Sequence, residues 1–231
     1  MPAPLHLTDL GCRDFREVQE LQRRLVALRR EGAVPDTLLL CSHPPVVTAG
    51  RSASPAEIAT TALALARAGL PLHRCERGGR LTYHGPGQVL GYPLLRLDGS
   101  ERDLHAYLRR LEAVMLDALA GLGIAGERRS GQAGIWVGGS KLASIGVAVR
   151  GWVTWHGFAL NLTGDLTPFA LFDPCGISGL AVTSVTEITR QEITRAEMQG
   201  RLGESFCREF GREGLWVPPE GAILPLPAAS A

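Results

Sequence analysis

Of the 24 basic residues in the chain, every one is an arginine except Lys141. That lysine sits in Gly138-Gly139-Ser140-Lys141-Leu142-Ala143, an apolar, Gly/Ser-rich setting that does not look like a solvated face. Guanidinium stays protonated, whereas a compact ammonium shifts its pKa and exchanges a proton. Residue type and setting therefore point to proton chemistry at Lys141. Of the five cysteines, Cys41 and Cys75 fall on strand patterns, Cys207 lies within a helix and Cys12 just before one, where a thiol serves as a small hydrophobe. Cys175 differs, because Pro174 and Gly176 place it in a loop with no periodic face to fill. A loop on a rigid scaffold is where a nucleophile is expected. A free thiol has a pKa near ~8.5 and attacks only as thiolate, so it needs a neighbouring cation or base. Lys141 is the candidate.

Three histidines carry two readings each. His84 offers a base for a Cys-His arrangement, and with Tyr83 it equally suits a pocket wall; His43 and His156 share the ambiguity. The glycine-rich stretch 77–88, RGGRLTYHGPGQ, is not a common phosphate cradle. It lacks G-x-G-x-x-G between a strand and a helix, and Gly138-Gly139-Ser140-Lys141 inverts the order of G-K-[ST]. Nothing in the sequence calls for a nucleotide.

The elements that must position these residues are legible from periodicity. Phe15, Val18, Leu21, Leu25 and Leu28 predict a helix over 14–30, and Thr37 to Cys41 a buried strand. Residues 46–51 suit a further strand or edge, and Ser54-Pro55-Ala56-Glu57 opens a helix ending near Gly69. Residues 71–76 read as a strand entering the glycine-rich stretch, which reads as an irregular loop, and 89–97 as the strand leaving it. A helix over 101–122 turns Leu104, Leu108, Leu111, Met115 and Leu119 inward. Alternation over 133–162 predicts two or three hairpin strands. Residues 166–179 are irregular, 182–188 a last strand, and Thr194 to Glu197 a capping box opening a helix with Met198, Leu202, Phe206 and Phe210 on one face. The fold class is α/β (α+β): one domain over 1–216 and a Pro-rich tail over 217–231, poorly ordered.

A net charge of +1 argues against a nucleic-acid binder, which shows a basic stripe. The pairs Arg23-Arg24, Arg29-Arg30 and Arg109-Arg110 read as solvated helix faces that could also meet an acidic protein partner. An odd cysteine count without C-x-x-C suggests neither a disulfide framework nor a zinc site. The N-terminus has no signal-peptide pattern, and no apolar run reaches membrane-spanning length. A reducing cytoplasm is expected, and with no heptad seam a monomer.

Four motifs then carry a resemblance: Arg77 to Gln88, Lys141 to Gly146 (KLASIG), Trp155 to Asn161 (WHGFALN) and Pro174 to Gly176, with Ser42 to Arg51 upstream. In this order and spacing they resemble the lipoyl(octanoyl) transferase family, over about Leu38 to Thr189. The resemblance implies a mixed sheet with packed helices, similar to the catalytic domain of biotin and lipoate protein ligases. It implies that octanoyl passes from the phosphopantetheine of acyl carrier protein to Cys175 as a thioester. From there it passes to a lysine of lipoyl domains of 2-oxoacid dehydrogenase complexes or of the glycine-cleavage carrier protein. It assigns Cys175 as nucleophile, Lys141 as the group lowering its pKa, and the acyl pocket to Arg77, Gly78, Gly79, Arg80, Leu81, Thr82, Tyr83 and His84, to Ser144, Ile145 and Gly146, and to Gly157, Phe158 and Ala159. No ATP and no metal are implied. Two rival readings are an ATP-dependent lipoate or biotin ligase on the same fold, which needs no cysteine, and a carrier-binding module without turnover.

Overall fold

Leu5 and Leu7 alternate with polar His6 and Thr8 near the N-terminus, and there the chain forms β1 (Ala3–Cys12). The computed structural model describes residues 3–177 and 179–222, with the side chains of Cys175 and Ala222 outside the description. Asp14 caps α1 (Phe15–Glu31) by accepting the amides of Arg16 and Glu17, and Gly32 closes it in the left-handed region at φ 76°. β2 (Asp36–Ser42) is buried throughout, and β3 (Val46–Ala49) follows. α2 (Pro55–Arg67) starts at a complete Ser54–Glu57 capping box, ahead of β4 (Leu72–Arg74). β5 (Leu81–His84) and β6 (Gln88–Leu94) lead to α3 (Leu104–Ala120). A meander of β7 (Gly134–Val137), β8 (Ser140–Arg150) and β9 (Val153–Asn161) comes next. After it lie α4 (Val185–Thr189), α5 (Arg195–Phe210), β10 (Arg212–Trp216) and α6 (Pro219–Ala222).

Seven strands form one mixed sheet in the order β10-β1-β2-β6-β9-β8-β7, and β4-β3-β5 form a smaller one. One face of the large sheet packs Leu5, Leu38, Val89 and Leu160 against α3 and α5 through Leu111, Met115, Leu202 and Phe206. The opposite face packs Leu39, Leu90, Tyr92 and Trp155 against α1 through Val18, Leu25 and Val26. The small sheet joins α2 and residues 166–172 through Val47, Leu65, Leu81, Phe169 and Phe172. Burial of these side chains from both sides holds the central strands in place. No helix among the described residues is long and apolar enough to cross a membrane.

The mixed sheet with packed helices is the predicted fold class, with five local differences. The glycine-rich stretch contains a strand: Leu81-Thr82-Tyr83-His84 pairs antiparallel with β3, its β-forming residues prevailing over the flanking glycines. Residues 182–188 are not a strand, because Ser184 and Glu187 form a capping box that turns them into α4. Leu104 is exposed at the first turn of α3, and Tyr107 is buried in its place. β1 and β10 lie outside the sequence reading and pair parallel with each other. Arg29 is no solvated residue: its Nε donates to buried Asp36 at 2.7 Å, which also accepts Arg212 Nε at 3.2 Å. Of the predicted tail, residues 223–231 lie outside the described residues. Val217 donates its amide to the Leu7 carbonyl, and 219–222 form α6.

Candidate active site

Arg77 organises the glycine-rich stretch. Its guanidinium is buried and donates to the Thr48 carbonyl at 2.7 Å, the Thr48 hydroxyl at 2.8 Å, the Gly78 carbonyl at 3.0 Å and the Arg80 carbonyl at 2.9 Å. A planar fork with five N–H donors suits this cluster of acceptors, which a lysine would not satisfy. The Gly78 amide donates to the Val147 carbonyl at 2.8 Å, laying the stretch across β8. A Cβ at Gly146 would press on Arg77 Cδ and the Gly78 carbonyl, so glycine there admits the close approach.

Between this stretch, β6, β8 and β9 lies a narrow cavity of about 50 Å³. Arg77, Gly79, Arg80, Leu81, Thr82 and His84 line one side of it, Ser144, Ile145 and Gly146 a second, and Gly157, Phe158 and Ala159 a third. These are twelve of the fourteen residues expected at an acyl pocket. Gly78 and Tyr83 are not on its wall. Strand alternation turns Tyr83 away from it, and its ring meets Phe169 edge-on at 5.6 Å. Phe15, Leu90, Tyr92 and His156 complete the lining. Of these, the sequence marks His156 as a base or a pocket wall and Phe15 only as part of the inward face of a helix, and the lining residues Leu90 and Tyr92 carry no such mark.

Both ring nitrogens of His84 are engaged. Gln88 uses its amide nitrogen on the Tyr83 carbonyl at 3.2 Å and on Asn161 Oδ1 at 2.8 Å. Its Oε1 therefore accepts His84 Nδ1–H at 3.3 Å, and His84 Nε2 takes the Thr48 hydroxyl at 3.3 Å. Burial, with the Arg77 guanidinium as a positive neighbour, holds the His84 pKa well below the ordinary range. A neutral ring with both nitrogens committed favours the pocket-wall reading over the base. His43 is likewise neutral through burial: Nδ1 donates to the Arg13 carbonyl at 2.6 Å and Nε2 accepts Tyr92 OH at 2.8 Å.

Lys141 lies near the start of β8, 4% exposed, with Nζ 5.0 Å from the centre of the Trp136 ring. Its amide donates to the Ala181 carbonyl at 2.8 Å and its carbonyl accepts the Thr183 amide at 3.0 Å. The segment that follows Cys175 is thereby tied to the strand carrying the lysine. Cys175 itself occupies a short 3-10 turn, Pro174–Gly176, in which Gly176 N–H donates to the Asp173 carbonyl at 2.9 Å. The turn packs against β5, and a Cβ at Gly176 would strike the Arg80 guanidinium. Arg80, in turn, is anchored by Glu57 at 3.0 Å. The Cys175 side chain lies outside the described residues.

The other cysteines have ordinary surroundings for unreactive thiols. Burial pushes the thiol pKa of Cys75 up and that of Cys41 beyond the usual range. Cys12 is exposed at the end of β1.

Residues 14–207 match the family model described as lipoyl protein ligase A/B catalytic domain. The octanoyltransferase of Geobacter sulfurreducens is 44% identical over 221 residues, covering 96% of this chain and 91% of that protein. The octanoyltransferase of Geotalea uraniireducens is 43% identical over 209 residues, 89% of this chain and 94% of that one. Among solved structures, one of an archaeal lipoylation system, a bi-partite lipoate protein ligase and its E2 lipoyl domain from Thermoplasma acidophilum, matches at TM-score 0.72. It covers 94% of this chain and 87% of that one at 16% identity, a likeness of fold. The chain belongs to the lipoyl protein ligase A/B catalytic-domain family, within which its relatives are octanoyltransferases.

Proposed function

We propose that the chain transfers an octanoyl group from the phosphopantetheine thiol of acyl carrier protein to Cys175, and then to the ε-amine of a specific lysine on a lipoyl domain. The protein is an acyltransferase acting in protein lipoylation, as its octanoyltransferase relatives over most of its length indicate. Its acceptors, on this reading, are lipoyl domains of 2-oxoacid dehydrogenase complexes and of the glycine-cleavage carrier protein, met by a monomer in the cytoplasm.

The observation that carries the reading is that one strand, β8, carries both the cavity-lining Ser144, Ile145 and Gly146 and the buried Lys141, whose backbone is bonded to the segment after Cys175. In the first step the Cys175 thiolate attacks the thioester carbonyl and the pantetheine thiolate leaves with a proton. Lys141 as ammonium favours the thiolate and supplies that proton. In the second step the neutral Lys141 takes the proton of the incoming amine as the acyl–sulfur bond breaks, and Cys175 leaves as the thiolate, which restores the starting pair. Backbone N–H groups of the glycine-rich walls are the donors suited to the oxyanion. A thioester exchanged for a thioester is nearly balanced, and aminolysis to an amide runs downhill, so neither step draws on ATP.

The reading is tested by incubating the protein with an apo lipoyl domain and either octanoyl-acyl carrier protein without ATP or free octanoate with ATP. Octanoylation of the acceptor in the first mixture alone is the expected result. Octanoylation in the second alone would make the protein an ATP-dependent ligase, and in neither a carrier-binding module.

A further inference from the structure

A row of buried rings on the α1 side of the sheet has no part in the two transfers: Phe15, His43, Tyr92 and His156. Adjacent ring centres are 5.5, 6.0 and 6.4 Å apart in that order. His156 ends the row and is unusual in two respects. Its φ is 53°, a left-handed conformation that a non-glycine residue adopts at a cost. The twist brings its ring to the same side of β9 as that of Trp155, stacked at 4.4 Å, instead of the opposite side that strand alternation gives. Its amide is fixed by Gln22 Oε1 at 2.8 Å, while its Nε2 is buried with no hydrogen-bond partner among the described residues. A strained backbone thus holds an unsatisfied imidazole on the cavity wall.

The sheet register shows which end of the cavity this is. Lys141 and Ser144 lie toward the start of β8, with Ser144 opposite Ala159, whereas Val147 stands opposite His156. Three residues of strand separate Ser144 from Val147, about 10 Å. An extended chain advances about 3.5 Å for every three bonds, so the seven C–C bonds of octanoyl reach about 8 Å. An acyl chain that enters the cavity beside Ser144 therefore carries its last carbons toward Tyr92 and His156.

We propose that Tyr92 and His156 form the closed end of the acyl cavity, a subsite for the terminal carbons, and that they set the chain-length limit. The inference rests on the acyl-transfer reading above. A longer chain must displace a hydrogen-bonded tyrosine or press hydrocarbon onto an imidazole nitrogen it cannot satisfy.

The test is intact-mass measurement of acyl-enzyme formed from octanoyl, decanoyl and dodecanoyl thioesters of acyl carrier protein. The proteins compared are wild type, His156→Asn and Tyr92→Leu. Asparagine tolerates the left-handed backbone and is smaller, and leucine opens the same end from β6. Each added buried methylene is worth roughly fourfold, so the dodecanoyl-to-octanoyl ratio is expected to rise by tenfold or more, about what two to four methylenes give, in both variants. Unchanged ratios in variants that still accept octanoyl would overturn the proposal. So would loss of acylation at every length in a variant with native circular dichroism, which would assign the ring to the reaction itself. Failure of wild type to form any acyl-enzyme would instead remove the transfer reading on which the proposal stands.

Discussion

Thr183 and Lys141 are joined backbone to backbone, the Thr183 amide donating to the Lys141 carbonyl at 3.0 Å, while the Thr183 carbonyl accepts Asn161 Nδ2 at 3.0 Å. Asn161 Oδ1 in turn accepts from Gln88, whose Oε1 holds His84. One hydrogen-bonded chain thus runs from the cavity wall at His84 to the strand of Lys141 and the segment leaving Cys175.

Asn161→Ala cuts that chain, removes one of the two acceptors of the buried Gln88 amide and takes the side-chain donor from the Thr183 carbonyl. The expected cost is about 1–3 kcal/mol of stability. Acyl transfer should fall by tenfold or more because the lysine and the cysteine segment lose their common anchor. Denaturant titration and single-turnover acylation read the two effects, and an activity loss no larger than that of an equally destabilising core variant would argue against the anchoring role.

Lys141→Arg keeps a positive charge and removes the group that exchanges a proton. The account expects transfer to drop by ~10²-fold or more, the usual worth of a positioned acid-base group. Transfer to the lipoyl domain, timed by mass spectrometry, checks this; near wild-type rates with arginine would leave Lys141 only a charge-bearing role.

Arg77→Lys replaces a fork with a point charge and abandons several of the acceptors on Thr48, Gly78 and Arg80. A loss of about 2–3 kcal/mol is expected. For a chain of this size that lowers Tm by about 4–12 °C. Octanoyl acylation should weaken with it as the glycine-rich wall slackens, and an unchanged Tm would show that the clamp is dispensable.

Burial lowers the pKa values of His43, His84 and His156, the last to about 3. The unfolded chain binds protons on these rings near pH ~6.5 and the folded chain refuses them, so stability falls as pH drops below that value. For His156 the loss extends from pH ~6.5 down toward about 3, at up to about 1.4 kcal/mol per pH unit. Unfolding free energies between pH 7 and 5 should decline in wild type and decline less steeply in His156→Asn. Equal slopes would mean that the ring is protonated in the folded protein.

Most of the scaffold was legible because its signals are local. Asp14, Ser54 and Thr194 mark the starts of α1, α2 and α5, and the alternation over 133–162 resolves into three paired strands. What escaped depends on partners distant in sequence. β10 is short and exposed, and becomes a strand by pairing with β1 across more than two hundred residues. β5 hides among glycines until β3 supplies its partner. The same holds at the site. The motif residues were visible by type, whereas Tyr83 facing away from the cavity and Tyr92 facing into it follow from strand pairing. The left-handed turn of His156 has no sequence signal, because histidine is not the residue that turn favours.

The central claim is the covalent intermediate on Cys175. Its most direct test is the intact mass of the protein after incubation with octanoyl-acyl carrier protein without ATP, for wild type and for Cys175→Ser. The account predicts one added octanoyl group on wild type, discharged when a lipoyl domain is supplied, and none on the serine variant. A wild type that stays unmodified while octanoylating the lipoyl domain, or a serine variant that transfers at the wild-type rate, would contradict it.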